Sequence, residues 1–173
     1  MKILSLLCIL VLAAACSAPD QVRPASSVKV VPHEKLLEFL PALPGWTRGE
    51  PRGTTDTDEA VSRVQVNYNQ DQGIGGLSIE IMDTTMNADI LGPLTEFLKA
   101  NRTETGATGT KKVTTVAGYP GTEEWTPEAG NGVVSILVAD RFAVVVTGDS
   151  VGDVGVIRKV FDSIDLKKLA TLK

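Results

Sequence analysis

The links between the apolar stretches of this chain are too short to carry a strand across a sheet, and that restricts the architectures open to it. Residues 60–69 alternate, with Val64, Val66 and Tyr68 on one face and Arg63, Gln65 and Asn67 on the other; Leu77, Ile79 and Ile81 repeat the pattern. A period of two is the mark of a half-buried strand. Between these two runs, Asp71-Gln72-Gly73-Ile74-Gly75-Gly76 is a glycine-rich hairpin connection. Residues 111–117 and 121–126 are joined by a turn at Gly118-Tyr119-Pro120, and a further turn runs through Glu128-Ala129-Gly130-Asn131-Gly132. Residues 133–138 and 142–147 make a hairpin through Ala139-Asp140-Arg141. Parallel strands need crossovers of about a dozen residues or more, so these links imply antiparallel pairing.

Helical patterns punctuate the strands. Residues 33–40 follow Pro32, which suits the opening turn of a helix, and stop at Pro41; Leu36, Leu37 and Leu40 share a face that Phe39 widens. Residues 89–100 predict a second helix, with Asp89 as cap, Pro93 in the first turn and Leu94, Phe97 and Leu98 as the buried stripe. Residues 101–110, NRTETGATGT, read as an exposed loop. After Asp153, a plausible cap, Val156, Ile157, Val160, Phe161 and Ile164 recur on one apolar face of a final helix. Arg158, Lys159 and Asp162 point away from that face, so Arg158 is expected in solvent and its removal is expected to cost little. Residues 165–169 carry one more packed segment. The order helix, strands, helix, strands, helix predicts an α+β fold, a mainly antiparallel sheet of about six or seven strands with helices packed on it as an α/β/α sandwich.

The first residues are an address rather than part of that fold. Lys2 supplies a positive start, residues 3–12 form an apolar run too short to span a bilayer as a mature helix, and Ala13-Ala14-Ala15 lead directly to Cys16. This order resembles a bacterial lipoprotein signal, in which the cysteine thiol is lipidated and becomes the first residue of the mature chain. The family usually has Leu where Ala13 stands, with Leu12 here one step further back. Two other readings remain open: an ordinary secretory leader cut after the alanines, and an uncleaved anchor. The resemblance implies a signal peptide over 1–15, a lipidated Cys16 heading a flexible Ser-, Ala- and Pro-rich tether over 16–30, and a single domain over 31–173. It implies export and a lipid anchor in the cell envelope, and Ser17 resembles the pattern that directs Gram-negative lipoproteins to the periplasmic side of the outer membrane.

Composition limits the chemistry. Cys8 leaves with the leader, so Cys16 is the only cysteine of the mature chain and neither an internal disulfide nor a cysteine metal site is available to the domain. With 43% hydrophobic residues in 173, a self-sufficient apolar core is expected instead. The net charge of −4 becomes −5 once Lys2 is removed, which disfavours nucleic acid as a partner; the lipid is the expected membrane contact. The single histidine, His33, stands at a helix start beside the tether and reads as a solvated residue, leaving little for a nucleophile-histidine arrangement. Asp56-Thr57-Asp58-Glu59 is the densest carboxylate cluster but lacks the internal glycine and distant glutamate of a calcium loop. Glu123 and Glu124 flank Trp125 on alternating strand faces and should point apart. No catalytic, cofactor-binding or metal residue is therefore assigned, and no cofactor is expected.

Residues 133–166, a hairpin, an amphipathic helix and the ending Ser163-Ile164-Asp165-Leu166, resemble the last third of Mog1/PsbP-type sandwiches and the ends of uncharacterised bacterial envelope lipoproteins. That resemblance implies a fold and accessory roles, not a mechanism. The sequence reading is of a non-enzymatic binding or accessory module with a protein or envelope partner. Its alternatives are a small-ligand binder, with Trp46, Tyr68 or Trp125 lining a pocket, and a carboxylate-dependent hydrolase.

Overall fold

A computed structural model describes residues 29–85 and 87–173; the leader, Cys16 and tether residues 17–28 lie outside the described residues. Its strands are β1 (Trp46–Arg48), β2 (Arg52–Asp56), β3 (Val61–Gln70), β4 (Gly76–Asp83), β5 (Thr103–Thr105), β6 (Thr110–Val116), β7 (Tyr119–Thr126), β8 (Asn131–Val138) and β9 (Phe142–Asp149). They form one sheet of nine strands in the order β1-β3-β4-β9-β8-β7-β6-β5, with β2 continuing along the same edge of β3 that β1 occupies. Each of these pairings is antiparallel. Two meanders thus lie side by side, sealed by the β4–β9 ladder from Gly76↔Asp149 to Asp83↔Phe142.

The fold is α+β with a mainly antiparallel sheet, as the short links require, but it has nine strands where six or seven are expected from the sequence. The extra three are β1, β2 and β5, edge strands of three to five residues with no fully buried position. Without a buried face there is no apolar alternation to betray them. β5 turns the expected loop over residues 101–110 into a hairpin with β6, Thr103 opposite Lys112.

Helices lie on both faces. On one, α1 (His33–Leu36) with its 3₁₀ extension Leu37–Phe39, α3 (Val154–Val160) with its extension Phe161–Ser163, and α4 (Leu166–Leu169) pack on the inward side chains of the central strands. Val64, Val66 and Tyr68 of β3, Leu77, Ile79 and Ile81 of β4, Val134 and Ile136 of β8, and Val144 and Val146 of β9 make this main core. Asp153 caps α3 as expected, its carboxylate accepting from Gly155 N–H at 2.6 Å. The helix stops at Val160, however, and Phe161 falls on the 3₁₀ turn, still buried. On the other face α2 (Ala88–Ala100) stands alone, packed on Leu137 and Ala143 through Leu91. It begins one residue earlier than expected and is capped by Asn87, which accepts from Asp89 N–H at 2.9 Å. Pro93 therefore lies in the second turn, not the first. Among the described residues no helix is long and apolar enough to cross a membrane.

Both ends of the described chain are tied to a buried ion pair. Arg141, in the turn between β8 and β9, donates from Nε to Asp83 Oδ1 at 2.8 Å and from Nη2 to Asp83 Oδ2 at 2.6 Å. The same guanidinium reaches the Lys29 carbonyl at 2.9 Å and the Leu172 carbonyl at 3.4 Å. Asp83, fully buried, also accepts from Val31 N–H at 2.7 Å and Thr85 N–H at 2.9 Å. A buried carboxylate is tolerated only when its charge is matched and its lone pairs are filled, and both conditions hold here.

Candidate functional site

The two faces of the sheet are finished to different degrees. Beneath α2 the strands present Met82, Ala143 and Val145, then Ser135, Thr122, Glu124 and Lys111 in a line toward β6. One helix, with Leu91 and Phe97 as its buried side chains, does not cover this width. A cleft of about 230 Å³ is left between helix and sheet, closed on the helix side by Ile90, Leu91, Pro93, Leu94 and Phe97. Its apolar end is Met82, Ala143 and Val145. Its polar end is a cross-strand ion pair, Lys111 Nζ to Glu124 Oε1 at 2.5 Å, with Lys111 Nζ also 5.0 Å from the centre of the Phe97 ring. Arg102 lies 5.2 Å from the same ring and pairs with Glu104 at 2.8 Å. The cleft is smaller than the roughly 300 to 1,000 Å³ of drug-sized ligand sites, which sets the scale of what fits.

None of the three aromatic residues singled out in the sequence lines this cleft. Trp46 is half-buried and lines a separate cleft of about 200 Å³ with Leu43, Pro44 and Lys159. Trp125 borders a third, of about 400 Å³, formed with the Thr- and Gly-rich segment at the β5–β6 turn. Tyr68 is buried in the main core, where its hydroxyl donates to the Pro41 carbonyl at 2.7 Å. Burial raises the Tyr68 phenol above its ordinary value, opposed by the positive charge of Arg48.

Of the ionisable residues weighed as catalytic candidates, His33, Asp56, Glu123 and Glu124 are occupied with structure. His33 is not simply solvated: its Nδ1 lies 3.0 Å from Thr55 Oγ1, and its ring sits so close to β2 that a Cβ on Gly53 would come within 2.4 Å of it. Asp56 Oδ1 accepts from the backbone N–H groups of Asp58 and Glu59, both at 2.9 Å, so the acidic cluster is a turn. Glu123 and Glu124 do point to opposite faces. Glu123 is buried and held by Arg158 Nε at 2.6 Å and Lys112 Nζ at 3.0 Å. Among the described residues no three His, Cys, Asp or Glu side chains gather as a metal site requires.

Arg158 is thus a correction to the sequence reading, which sets it in solvent. It crosses from α3 to β7 and β6, where Nη2 also donates to Thr114 Oγ1 at 2.9 Å. Arg158→Ala is expected to lower the unfolding free energy by about 1 to 3 kcal/mol, since it strips a buried carboxylate of its main partner while Lys112 remains. A urea titration checks this, and a change below about 0.5 kcal/mol, the usual range for surface substitutions, would return Arg158 to the solvated class.

Both buried carboxylates left a signal in the sequence. Asp83 continues the inward series Leu77, Ile79, Ile81, and Glu123 shares a strand face with Trp125. Each therefore demanded a cation, although nothing local says which one.

No protein family model, curated protein or solved structure matches this chain.

Proposed function

We propose that this chain is an exported lipoprotein, held in the cell envelope by acyl chains on Cys16, whose domain is a non-enzymatic binding or accessory module. In a Gram-negative cell its place is the periplasmic side of the outer membrane. The observation that carries the binding role is the unfinished α2 face: one helix over a broad sheet, with an open cleft beneath it. The engagement of Asp83, Glu123, Asp56 and His33 in structural contacts supports binding over catalysis. The β8–β9 hairpin followed by α3 supports kinship with Mog1/PsbP-type sandwiches as part of the same proposal.

Two experiments test it. Cys16→Ser is expected to release or mislocalise the protein with no change in the thermal midpoint of the domain, because two acyl chains anchor stably and none does not. Wild-type protein without acyl mass on its N-terminus would overturn the anchor. A photo-crosslinker at Leu94, on the cleft, should trap a discrete envelope component in membranes, whereas one at Lys167, an exposed residue of α4, should not. Ester, peptide or glycoside hydrolysis abolished by changing Asp56, Asp58 or Glu59 would replace the binding role with a hydrolase. The second reading, a small-ligand binder, is favoured by one specific observation: the hydroxyls of buried Thr122 and half-buried Ser135 open onto the cleft without a protein partner.

A further inference from the structure

Thr122 is only 6% exposed, yet its hydroxyl has no hydrogen bond among the described residues. A donor on a buried residue that no protein group satisfies is completed by water or by a ligand. No fully enclosed side-chain polar atom lacks a partner, so the Thr122 hydroxyl retains access to open space, and the space it lines is the cleft under α2. Ser135, directly opposite Thr122 on β8, lines the same cleft and its hydroxyl is likewise without a hydrogen bond. Lys111, opposite Glu124 two residues along β7, brings an ammonium group to that end. Three donors therefore border one small volume, and the rest of the wall is Met82, Leu94 and Val145.

We propose that the cleft binds a medium-length alkyl chain ending in a carboxyl group, with the chain along the apolar wall and the carboxyl oxygens accepting from the Thr122 and Ser135 hydroxyls near Lys111. This deepens the small-ligand reading and rests on it. Glu124 neutralises part of the Lys111 charge and repels a carboxylate from its own side, which seats the ligand's oxygens against the two hydroxyls. The volume of about 230 Å³ sets the length. Below the roughly 300 to 1,000 Å³ of drug-sized sites, it suits a chain of medium length, and eight-carbon probes test it. A free alkanoate offers its carboxylate and the acyl ester of a membrane lipid its ester carbonyl, each an acceptor for the two hydroxyls at the end of an alkyl chain.

The test uses the mature chain, residues 16–173 carrying Cys16→Ser and so bearing neither leader nor acyl chains, titrated calorimetrically with octanoate, octanol, octylamine and an octanoyl lysophospholipid. Octanoate or the lysophospholipid is expected to bind, the tighter of the two identifying a free or a lipid source, and octylamine to bind least. Thr122→Val keeps the shape and removes the donor, and should weaken the preferred ligand by about tenfold. Val145→Trp should fill the cleft and abolish binding, with the circular dichroism spectrum and thermal midpoint verifying that each variant folds. Equal affinity in wild type and Thr122→Val would overturn the hydroxyl assignment. Tighter binding of octylamine than octanoate would overturn the carboxyl assignment while leaving the cleft a ligand site. Failure of all four ligands would overturn both the inference and the small-ligand reading, leaving the crosslinking experiment to decide the module reading alone.

Discussion

Arg141→Ala is expected to destabilise the domain by about 3 to 5 kcal/mol, the loss that follows when one member of a buried ion pair is removed and the other stays behind. Asp83 would keep the N–H donors of Val31 and Thr85 but lose both guanidinium contacts, and the carbonyls of Lys29 and Leu172 would lose theirs. Against a typical domain stability of about 5 to 15 kcal/mol this is a large fraction. Urea unfolding monitored by tryptophan fluorescence measures it, and hydrogen exchange at Val31 provides a local readout that should accelerate before the central strands do. Replacing both charges with apolar residues, as in Asp83→Leu with Arg141→Met, is expected to recover much of the loss, because no uncompensated charge then remains. A single variant within about 1 kcal/mol of wild type would show that water reaches Asp83 and that the pair is not a clamp.

Phe161→Ala carries an effect of similar size by a different route. Phe161 is buried in the main core, on the 3₁₀ turn that follows α3, and truncation of such a ring removes both its transfer free energy and its packing, about 3 to 5 kcal/mol in all. Because α3 crosses β8 and β9, the cavity would open against the middle of the sheet, where strands on both sides limit collapse. Phe161→Leu should recover more than half of the loss, since it refills most of the volume with apolar atoms. An unchanged midpoint for Phe161→Ala would mean that the helix does not seat on the sheet as described.

What the sequence revealed and what it hid divide along the reach of the forces involved. The central strands announce themselves because one face is buried and the other is not, so Val64-Val66-Tyr68 and Leu77-Ile79-Ile81 alternate. Phe161 was legible for the same reason, as part of a helical stripe, even though the helix ends just before it. β1, β2 and β5 gave no periodic signal because a polar edge strand is held by its backbone alone. The partners Asp83–Arg141 and Glu123–Arg158 are 58 and 35 residues apart, and only the fold brings them together. The cleft was invisible for a related reason. It is a mismatch between the width of a sheet and the coverage of a single helix, and neither quantity is written in any one segment. Thr122 and Ser135 look like ordinary outward strand residues until α2 is laid over them.

The clamp at Arg141 also decides how the domain bears tension. Any pull arriving along the chain from the N-terminal side meets Lys29 and Val31 before it reaches α1, and those residues are fastened by charge-assisted hydrogen bonds, roughly twice the strength of neutral ones. The fastening points are Asp83 at the end of β4 and Arg141 in the turn leading into β9, two strands in the interior of the sheet. Load therefore enters where neighbouring ladders on both sides share it, instead of at an edge strand that could be peeled away. Helix α1 lies behind the clamp, shielded from the pull, so a domain tugged from that end yields at its ion pair first and keeps its helical cover until then.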